Sequence, residues 1–267
     1  MSHESRFTPL NRLLDLSAKK AIVTGGAVGI GFAIAYRLAE AGAAVMIADI
    51  NEEKAQAAAQ EITENGFKAD YIQCDASSEE SIKGASAAAL EREGGISILV
   101  NNAGIFPHTP IDSISSIDIN QVLDVNLKGT LYFCREIARS MIERSQGGCI
   151  INLASVGGIR PTQKGLSVYE ASKGAVITLT KSLAKELGGH NIRVNAIAPG
   201  GILTEGVLRQ SGPGGGRSVL KEYMAKLPLG CMGKPDDVGR AALFLASDLS
   251  SYITGSVIYV DGGYLIS

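Results

Sequence analysis

The feature that most restricts how this chain can fold is an alternation. Seven short runs rich in aliphatic and β-branched residues are separated by longer segments with helical spacing of apolar residues. The runs are residues 21–24 (AIVT), 44–49 (AVMIAD), 69–74 (ADYIQC), 96–102 (ISILVNN), 149–154 (CIINLA), 192–198 (IRVNAIA) and 256–261 (SVIYVD). The segments between them carry helix signals. Asn51 is placed to cap a helix that stops before Gly66, and Ser77 with Glu80 forms a candidate capping box for the next. Near-continuous apolar strands separated by helices predict a parallel sheet covered on both faces. The expected class is α/β, a doubly wound Rossmann-type three-layer sandwich with a seven-stranded parallel sheet. No linker, repeat or charge block interrupts it, so residues 19–267 read as a single domain after an N-terminal extension, 1–18. The glycine-rich piece SGPGGG at 211–216 reads as a mobile loop.

In such a sheet, ligands bind beyond the carboxyl ends of the strands, near the switch in strand order. The first strand runs into TGGAVGIG, with Gly25, Gly29 and Gly31 in a G-x-x-x-G-x-G spacing. Glycines there let backbone approach a pyrophosphate, and a helix starting near Gly29 would aim its free N–H groups at the anion. Asp49 ends the second strand, where a carboxylate can accept from an adenosine ribose. The fourth strand runs into NNAG, whose asparagines are costly to bury unless hydrogen-bonded and so are expected to tie strand ends together.

Ser155 follows the fifth strand, and YEASK follows Ser155 at the start of a helix. Positions i and i+4 share a helix face, so Tyr169 and Lys173 project together toward the groove where Ser155 and the glycine loop converge. An adjacent ammonium together with a nicotinamide cation favours the phenolate, which predicts a lowered tyrosine pKa and an acid/base poised near working pH.

In motif content and order the chain resembles the short-chain dehydrogenase/reductase family, in its short single-domain branch. The motifs are TGGAVGIG, NNAG, DVNLKG, Ser155, YEASK and PGGILT, and the likeness runs from about Ser17 to the last residue. The resemblance implies that Tyr169 is the general acid/base, that Ser155 orients the reacting oxygen, and that Lys173 binds the nicotinamide ribose. Asn126 would hold the water that continues a proton relay. Gly25, Gly29, Ile30, Gly31, Asp49, Asp75, Ala76, Asn102, Ala103, Gly104, Pro199, Gly200, Ile202 and Thr204 would join Tyr169 and Lys173 in holding the cofactor. Of these, Asp75 with Ala76 would hold the adenine, and Ile202 with Thr204 the carboxamide. The expected reaction interconverts a secondary alcohol and a ketone. NAD is the expected cofactor, because Asp49 would repel a 2′-phosphate while Ala27, Val28, Ile50 and Asn51 offer no cation. Reduction of a 3-oxoacyl group on acyl carrier protein is the alternative, and a non-catalytic dinucleotide-binding protein a remote one. Enoyl reductases of the family usually space tyrosine and lysine more widely.

A lid over about 203–227 and the loop 157–167 should decide the substrate. Leu203, Val207, Leu208, Leu220 and Met224 would form an apolar cover, with Arg160 and Lys164 solvated or meeting a charged group. Glu170 replaces the usual small residue after the tyrosine and should have no catalytic effect. The family's PLGRMG reads PLGCMG here, with Cys231. Apolar residues on more than one face of helices near 119–143 and 168–187 suggest a homo-oligomer, a homotetramer by family expectation, with the extension against a neighbouring subunit.

The net charge of −2 gives no footprint for nucleic acid. His3, His108 and His190 and the cysteines at 74, 134, 149 and 231 are scattered, so no metal site is expected and the thiols should be reduced. No signal peptide or membrane-spanning run is read, and a cytoplasmic location is the expectation.

Overall fold

The computed structural model describes residues 7–206 and 223–267. Its sheet has seven parallel strands in the order β3-β2-β1-β4-β5-β6-β7. These are β1 (Lys20–Thr24), β2 (Ala44–Asp49), β3 (Lys68–Gln73), β4 (Ile98–Asn101), β5 (Gly148–Leu153), β6 (Ile192–Pro199) and β7 (Val257–Val260). The helices are α1 (Leu10–Leu13), α2 (Gly29–Glu40), α3 (Glu52–Glu64), α4 (Glu79–Glu93), α5 (Ser116–Leu123), α6 (Thr130–Arg144), α7 (Ser167–Leu187) and α8 (Pro235–Ala246). The order reverses between β1 and β4, which puts the carboxyl ends of those two strands at the switch point, as a doubly wound sheet requires.

Strand alternation sorts the apolar residues into two cores. Ala21 and Val23 of β1, with Ile98 and Val100 of β4, face Ile34, Leu38, Ala55, Ile62, Val238 and Leu245 from α2, α3 and α8. Ile22 and Leu99 face the other way, onto Ile82, Phe133, Ile137 and Met141 from α4 and α6. Burial on both faces explains why the strands read as unbroken apolar runs.

Three expectations need correction. Asn51 caps α3 by accepting from Lys54 N at 2.9 Å, as anticipated, but the cap of α4 is Ser78, which accepts from Ser81 N at 3.2 Å. Asp75 accepts from both the backbone N and the hydroxyl of Ser77, which withdraws Ser77 from the helix end. Second, the packed domain begins earlier than residue 19: Leu16 is buried in the core and its N–H donates to Ala41 O at 2.8 Å. Third, the helical stretch between β4 and β5 is not one regular helix. A π-helical segment, Asp124–Gly129, joins α5 to α6.

Candidate active site

The glycine loop and β4 are locked together before any ligand is considered. Asn102 Nδ2 donates to the carbonyls of Thr24 (3.0 Å) and Gly25 (2.8 Å). The Thr24 hydroxyl accepts from Asn102 N and Ala103 N, both at 3.0 Å. Gly25 and Gly29 each sit at φ +59°, where a side chain is strained, and a Cβ on Gly31 would run into the Gly25 carbonyl and the Asn102 amide. The first turn of α2 has neither a capping side chain nor an acidic residue, so its N–H groups and dipole face the loop uncompensated. Asp49 closes the far side: Oδ2 accepts from Ala27 N and Oδ1 from Asn51 N, each at 3.1 Å. Side-chain-free backbone, an uncapped helix start and a carboxylate at the tip of β2 fit a pyrophosphate followed by an adenosine ribose.

Asp75 and Ala76 extend the groove past β3. A Cβ on Gly129 would collide with the Ala76 carbonyl, so the π segment rests directly on this pair. The wide turn places Asn126, fully buried, with its amide bridging Ile105: Oδ1 accepts from Ile105 N at 2.8 Å and Nδ2 donates to Ile105 O at 2.9 Å. Nδ2 also donates to the Ser172 hydroxyl (3.0 Å), which donates to Tyr169 O (2.6 Å). Lys173 reaches beneath this network; its side chain is only 5% exposed and Nζ donates to Leu153 O at 2.7 Å. Asn126 Oδ1 and Lys173 Nζ both border Gly104, at 3.3 and 3.4 Å from where its Cβ would stand. The Tyr169 phenol lies by the Ser155 side chain, which favours its ionised form. The tetrad Asn126, Ser155, Tyr169 and Lys173 therefore gathers at the carboxyl edge of β4 and β5.

The electrostatics differ from the expectation. Burial pulls Lys173 down to about 8, and desolvation pushes the Tyr169 phenol above its ordinary value, with Ser155 opposing and Glu170 adding to the rise. Lys173 is not what lowers the phenol pKa, because its ammonium points at a carbonyl and lies 5.9 Å from the Tyr169 ring centre.

Beyond β6, Pro199 and Ile202 are buried, Gly200 N donates to Val260 O at 3.0 Å, and Leu203 N to Gly233 O at 2.8 Å. The methyl of Thr204 lies 3.5 Å from where a Gly29 Cβ would stand, so the 199–204 segment meets the glycine loop across the groove. The loop 157–167 is pinned rather than free. Thr109 N donates to Gly165 O (3.0 Å), His108 Nε2 is 3.0 Å from Gln163 Oε1, and Glu170 accepts from Thr162 N (2.6 Å) and its hydroxyl (2.8 Å). Arg160 and Lys164 are both exposed, as solvation requires, and the Arg160 guanidinium also donates to main-chain oxygens of Tyr264 and Ser267. Of the proposed lid, Leu203 is exposed and Met224 half-buried, Leu227 is buried in the wall of the site, and Val207, Leu208 and Leu220 lie outside the described residues, as does 211–216. Cys231 is exposed.

Sequence reasoning missed Thr24, Phe106, Leu153, Ser172 and the anchoring role of Glu170. Phe106 sets its ring 6.0 Å from that of Tyr169. Thr24 and Ser172 stood inside quoted motifs and could have been flagged as small hydroxyls beside obligatory backbone donors. Asn101 does tie strands: Nδ2 donates to Asn152 Oδ1 at 2.8 Å, and Asn152 donates to Thr180 Oγ1 at 3.0 Å. Among the described residues, no cluster of His, Cys, Asp or Glu could hold a metal, and no helix is long and apolar enough to cross a membrane.

A dinucleotide groove at the switch point with a tyrosine, lysine and serine at its mouth defines an α/β oxidoreductase of the nicotinamide-using kind. The family model described as Enoyl-(Acyl carrier protein) reductase matches residues 25–265. The 3-oxoacyl-acyl-carrier-protein reductase of Chlamydia muridarum is 41% identical over 246 residues, covering 92% of this chain and 96% of its own. A short-chain type dehydrogenase/reductase of Mycobacterium marinum superposes with a TM-score of 0.90 at 38% identity, covering 96% and 98% of the two chains. A gluconate 5-dehydrogenase of Burkholderia cenocepacia, in complex with NADP and tartrate, gives a TM-score of 0.90 at 35% identity over 97% and 100%. The chain belongs to the short-chain dehydrogenase/reductase family.

Proposed function

We propose that this protein is an NAD-dependent dehydrogenase that interconverts a secondary alcohol and a ketone, with Tyr169 as acid/base. The observation that carries the reading is the Tyr169 phenol beside the Ser155 side chain, one helical turn from the buried Lys173. When bound, the nicotinamide dinucleotide would supply or accept the hydride. Gly25, Gly29, Ile30 and Gly31 would receive its pyrophosphate, Asp49 its adenosine ribose, Asp75 and Ala76 its adenine. Asn102, Ala103 and Gly104 would line the floor, and Pro199, Gly200, Ile202 and Thr204 the carboxamide end. The substrate oxygen would lie against Tyr169 and Ser155, where the phenol takes the proton in oxidation and returns it in reduction. Ser155 fixes the direction of approach, and preorganised donors supply most of the rate. Lys173, Ser172 and Asn126 would hold the ribose and water that carry the proton away.

The spacing of four between Tyr169 and Lys173 supports CH–OH chemistry over double-bond reduction, although the matching family model bears an enoyl reductase's description. The fixed carboxylate of Asp49 supports NAD, against the NADP held by the Burkholderia neighbour. We also infer a cytoplasmic homotetramer acting on a free small molecule. A second reading, a 3-oxoacyl reductase acting on a carrier protein, is supported by the name of the Chlamydia relative. Against it, the Arg160 guanidinium is directed at the protein's own main-chain oxygens.

The deciding experiment is a panel of secondary alcohols, polyols and hydroxysteroids beside a 3-oxoacyl thioester, each with NAD and NADP, following the absorbance of the reduced nicotinamide. Turnover of a free alcohol with NAD supports the proposal. Turnover of the thioester alone would replace it with the second reading, and no turnover alongside normal NADH binding would favour a non-catalytic role.

A further inference from the structure

Arg160 lies five residues after Ser155, yet its guanidinium is spent on the far end of the chain. Nη1 donates to Tyr264 O at 3.2 Å and to the Ser267 main-chain oxygen at 2.7 Å, and the guanidinium carbon stands 5.3 Å from the centre of the Tyr264 ring. Tyr264 is buried and stacks on Tyr223, with ring centres 5.3 Å apart and planes 18° from parallel. Val156, directly after Ser155, packs in the same apolar cluster with Leu227, Tyr264, Tyr223 and Leu265.

Tyr223 in turn touches the cofactor end of the groove. A Cβ on Gly201 would collide with its ring, and its hydroxyl lies by the Gly201 backbone, which favours the ionised form. The turn that carries Tyr264 is held from the other side by Asp261, which accepts from Gly263 N at 2.9 Å and Leu265 N at 3.0 Å. Asp261 also backs Gly200: the place a Gly200 Cβ would occupy is 2.9 Å from Asp261 Cα. A continuous set of contacts thus runs from the loop after Ser155, through Arg160, Tyr264 and Tyr223, to Gly200 and Gly201. These glycines lie between Pro199 and the residues expected at the carboxamide.

We propose that Arg160 is a positioning residue, which sets the Pro199–Thr204 segment against Ser155 by clamping the Tyr264–Tyr223 stack onto Gly201. The inference rests on the dinucleotide reading of the groove. Arg160 touches neither substrate nor cofactor in this scheme. It acts through the stack, and a planar fork is suited to this because it can bond two main-chain oxygens while lying on an aromatic face. Relative placement of the two reacting partners is sensitive, since a displacement of about 1 Å costs on the order of a hundredfold in rate.

The test uses the full chain in four forms: Arg160→Met, Arg160→Lys, Tyr223→Phe, and the double variant Arg160→Met with Tyr223→Phe. NADH affinity is read by fluorescence titration, kcat and KM are measured on the best alcohol of the panel, and thermal melts check folding. Tyr223→Phe keeps the ring stack, so it provides a folded variant even if Arg160→Met is unstable. The expected result is roughly a three- to tenfold weaker NADH affinity and lower kcat in Arg160→Met and in Tyr223→Phe, with KM changed less. Arg160→Lys should recover part of the loss, and the double variant should be no worse than the worse single, because both act on one path. Unchanged NADH affinity and kcat in the single variants, or losses that multiply in the double, would overturn the role of Arg160. A wild-type protein that fails to bind NADH would overturn the underlying reading instead.

Discussion

The Lys173 ammonium group stands 5.9 Å from the centre of the Tyr169 ring and donates to Leu153 O, not to the phenol. The two residues share a helix face, as their spacing requires, but the lysine's strongest partner is the end of β5. Lys173 is thereby fixed at the sheet edge while the phenol faces Ser155. The geometry separates the two jobs: one group holds position, the other moves the proton.

Tyr169→Phe keeps the ring beside Phe106 and removes only the hydroxyl. Turnover should fall by about 10²- to 10⁴-fold, the range credited to general acid/base catalysis. NADH affinity by fluorescence and the melting temperature should be nearly unchanged, and wild-type turnover in this variant would remove Tyr169 from the mechanism.

Lys173→Met tests the burial of the ammonium. A lysine lowered to about 8 in the fold from 10.5 is charged in both states below pH 8 and there destabilises the fold. Between pH 8 and 10.5 the unfolded chain binds the extra proton, so wild-type stability rises with pH. The methionine variant lacks this rise. It should be inactive yet more stable at pH 7 by at most about 3 kcal/mol, an upper bound reduced by the unpaired Leu153 carbonyl. Urea unfolding at pH 7 and 9.5 should show the gap narrowing; a gap that is constant with pH contradicts the assignment.

Asp49→Ala removes the carboxylate that accepts from Ala27 N and Asn51 N. Wild type should prefer NAD by at least about tenfold in kcat/KM, or about 1.4 kcal/mol, through repulsion of the 2′-phosphate. The variant should lose most of that preference. Equal wild-type efficiencies with both cofactors would show that Asp49 does not face the ribose.

Gly31→Ala puts a methyl against the Gly25 carbonyl and the Asn102 amide, neither of which is free to move. A loss of about 1–3 kcal/mol in unfolding free energy is expected from overpacking. NADH affinity should fall at least tenfold, since the backbone that receives the pyrophosphate is displaced. An undisturbed titration would mean the loop is not the phosphate site.

Glu170→Ala releases Thr162 and so loosens the loop 157–167 without touching the tetrad. The KM for alcohols should rise several-fold with kcat changed little. A fall in kcat at unchanged KM would instead tie Glu170 to the proton transfer, through its field on Tyr169.

The strands and the shared helix face of Tyr169 and Lys173 were readable because each depends on short-range pattern. Burial on both faces shows in the unbroken apolar composition of β1 and β4, and the Tyr169–Lys173 pairing follows from helical spacing alone. What stayed hidden depends on residues far apart in the chain. Arg160 meets Ser267 across 107 positions, and nothing local distinguishes it from Lys164, which is exposed. The direction of the Tyr169 shift was misjudged for the same reason, because desolvation is set by the assembled fold, whereas proximity of an ammonium could be counted along the helix. Ser77 and Ser78 are equally good caps by composition, and only the Asp75 side chain decides between them.

The π-helical segment at Asp124–Gly129 has a further implication, for heredity rather than chemistry. Such a turn closes its hydrogen bonds over one residue more than an α-turn, so it amounts to a one-residue insertion retained inside a helix. Deleting one residue there would close the turn as a regular α-turn while the flanking helices keep their phase, so Phe133, Ile137 and Met141 would stay in the core and only the placement of Asn126 against Ile105 would change. A deletion within α6 itself would instead rotate everything after it by about 100° and carry the later core residues out. Among descendants of this chain, this turn is therefore the one place in the helix where length can vary without disturbing the registration of the core.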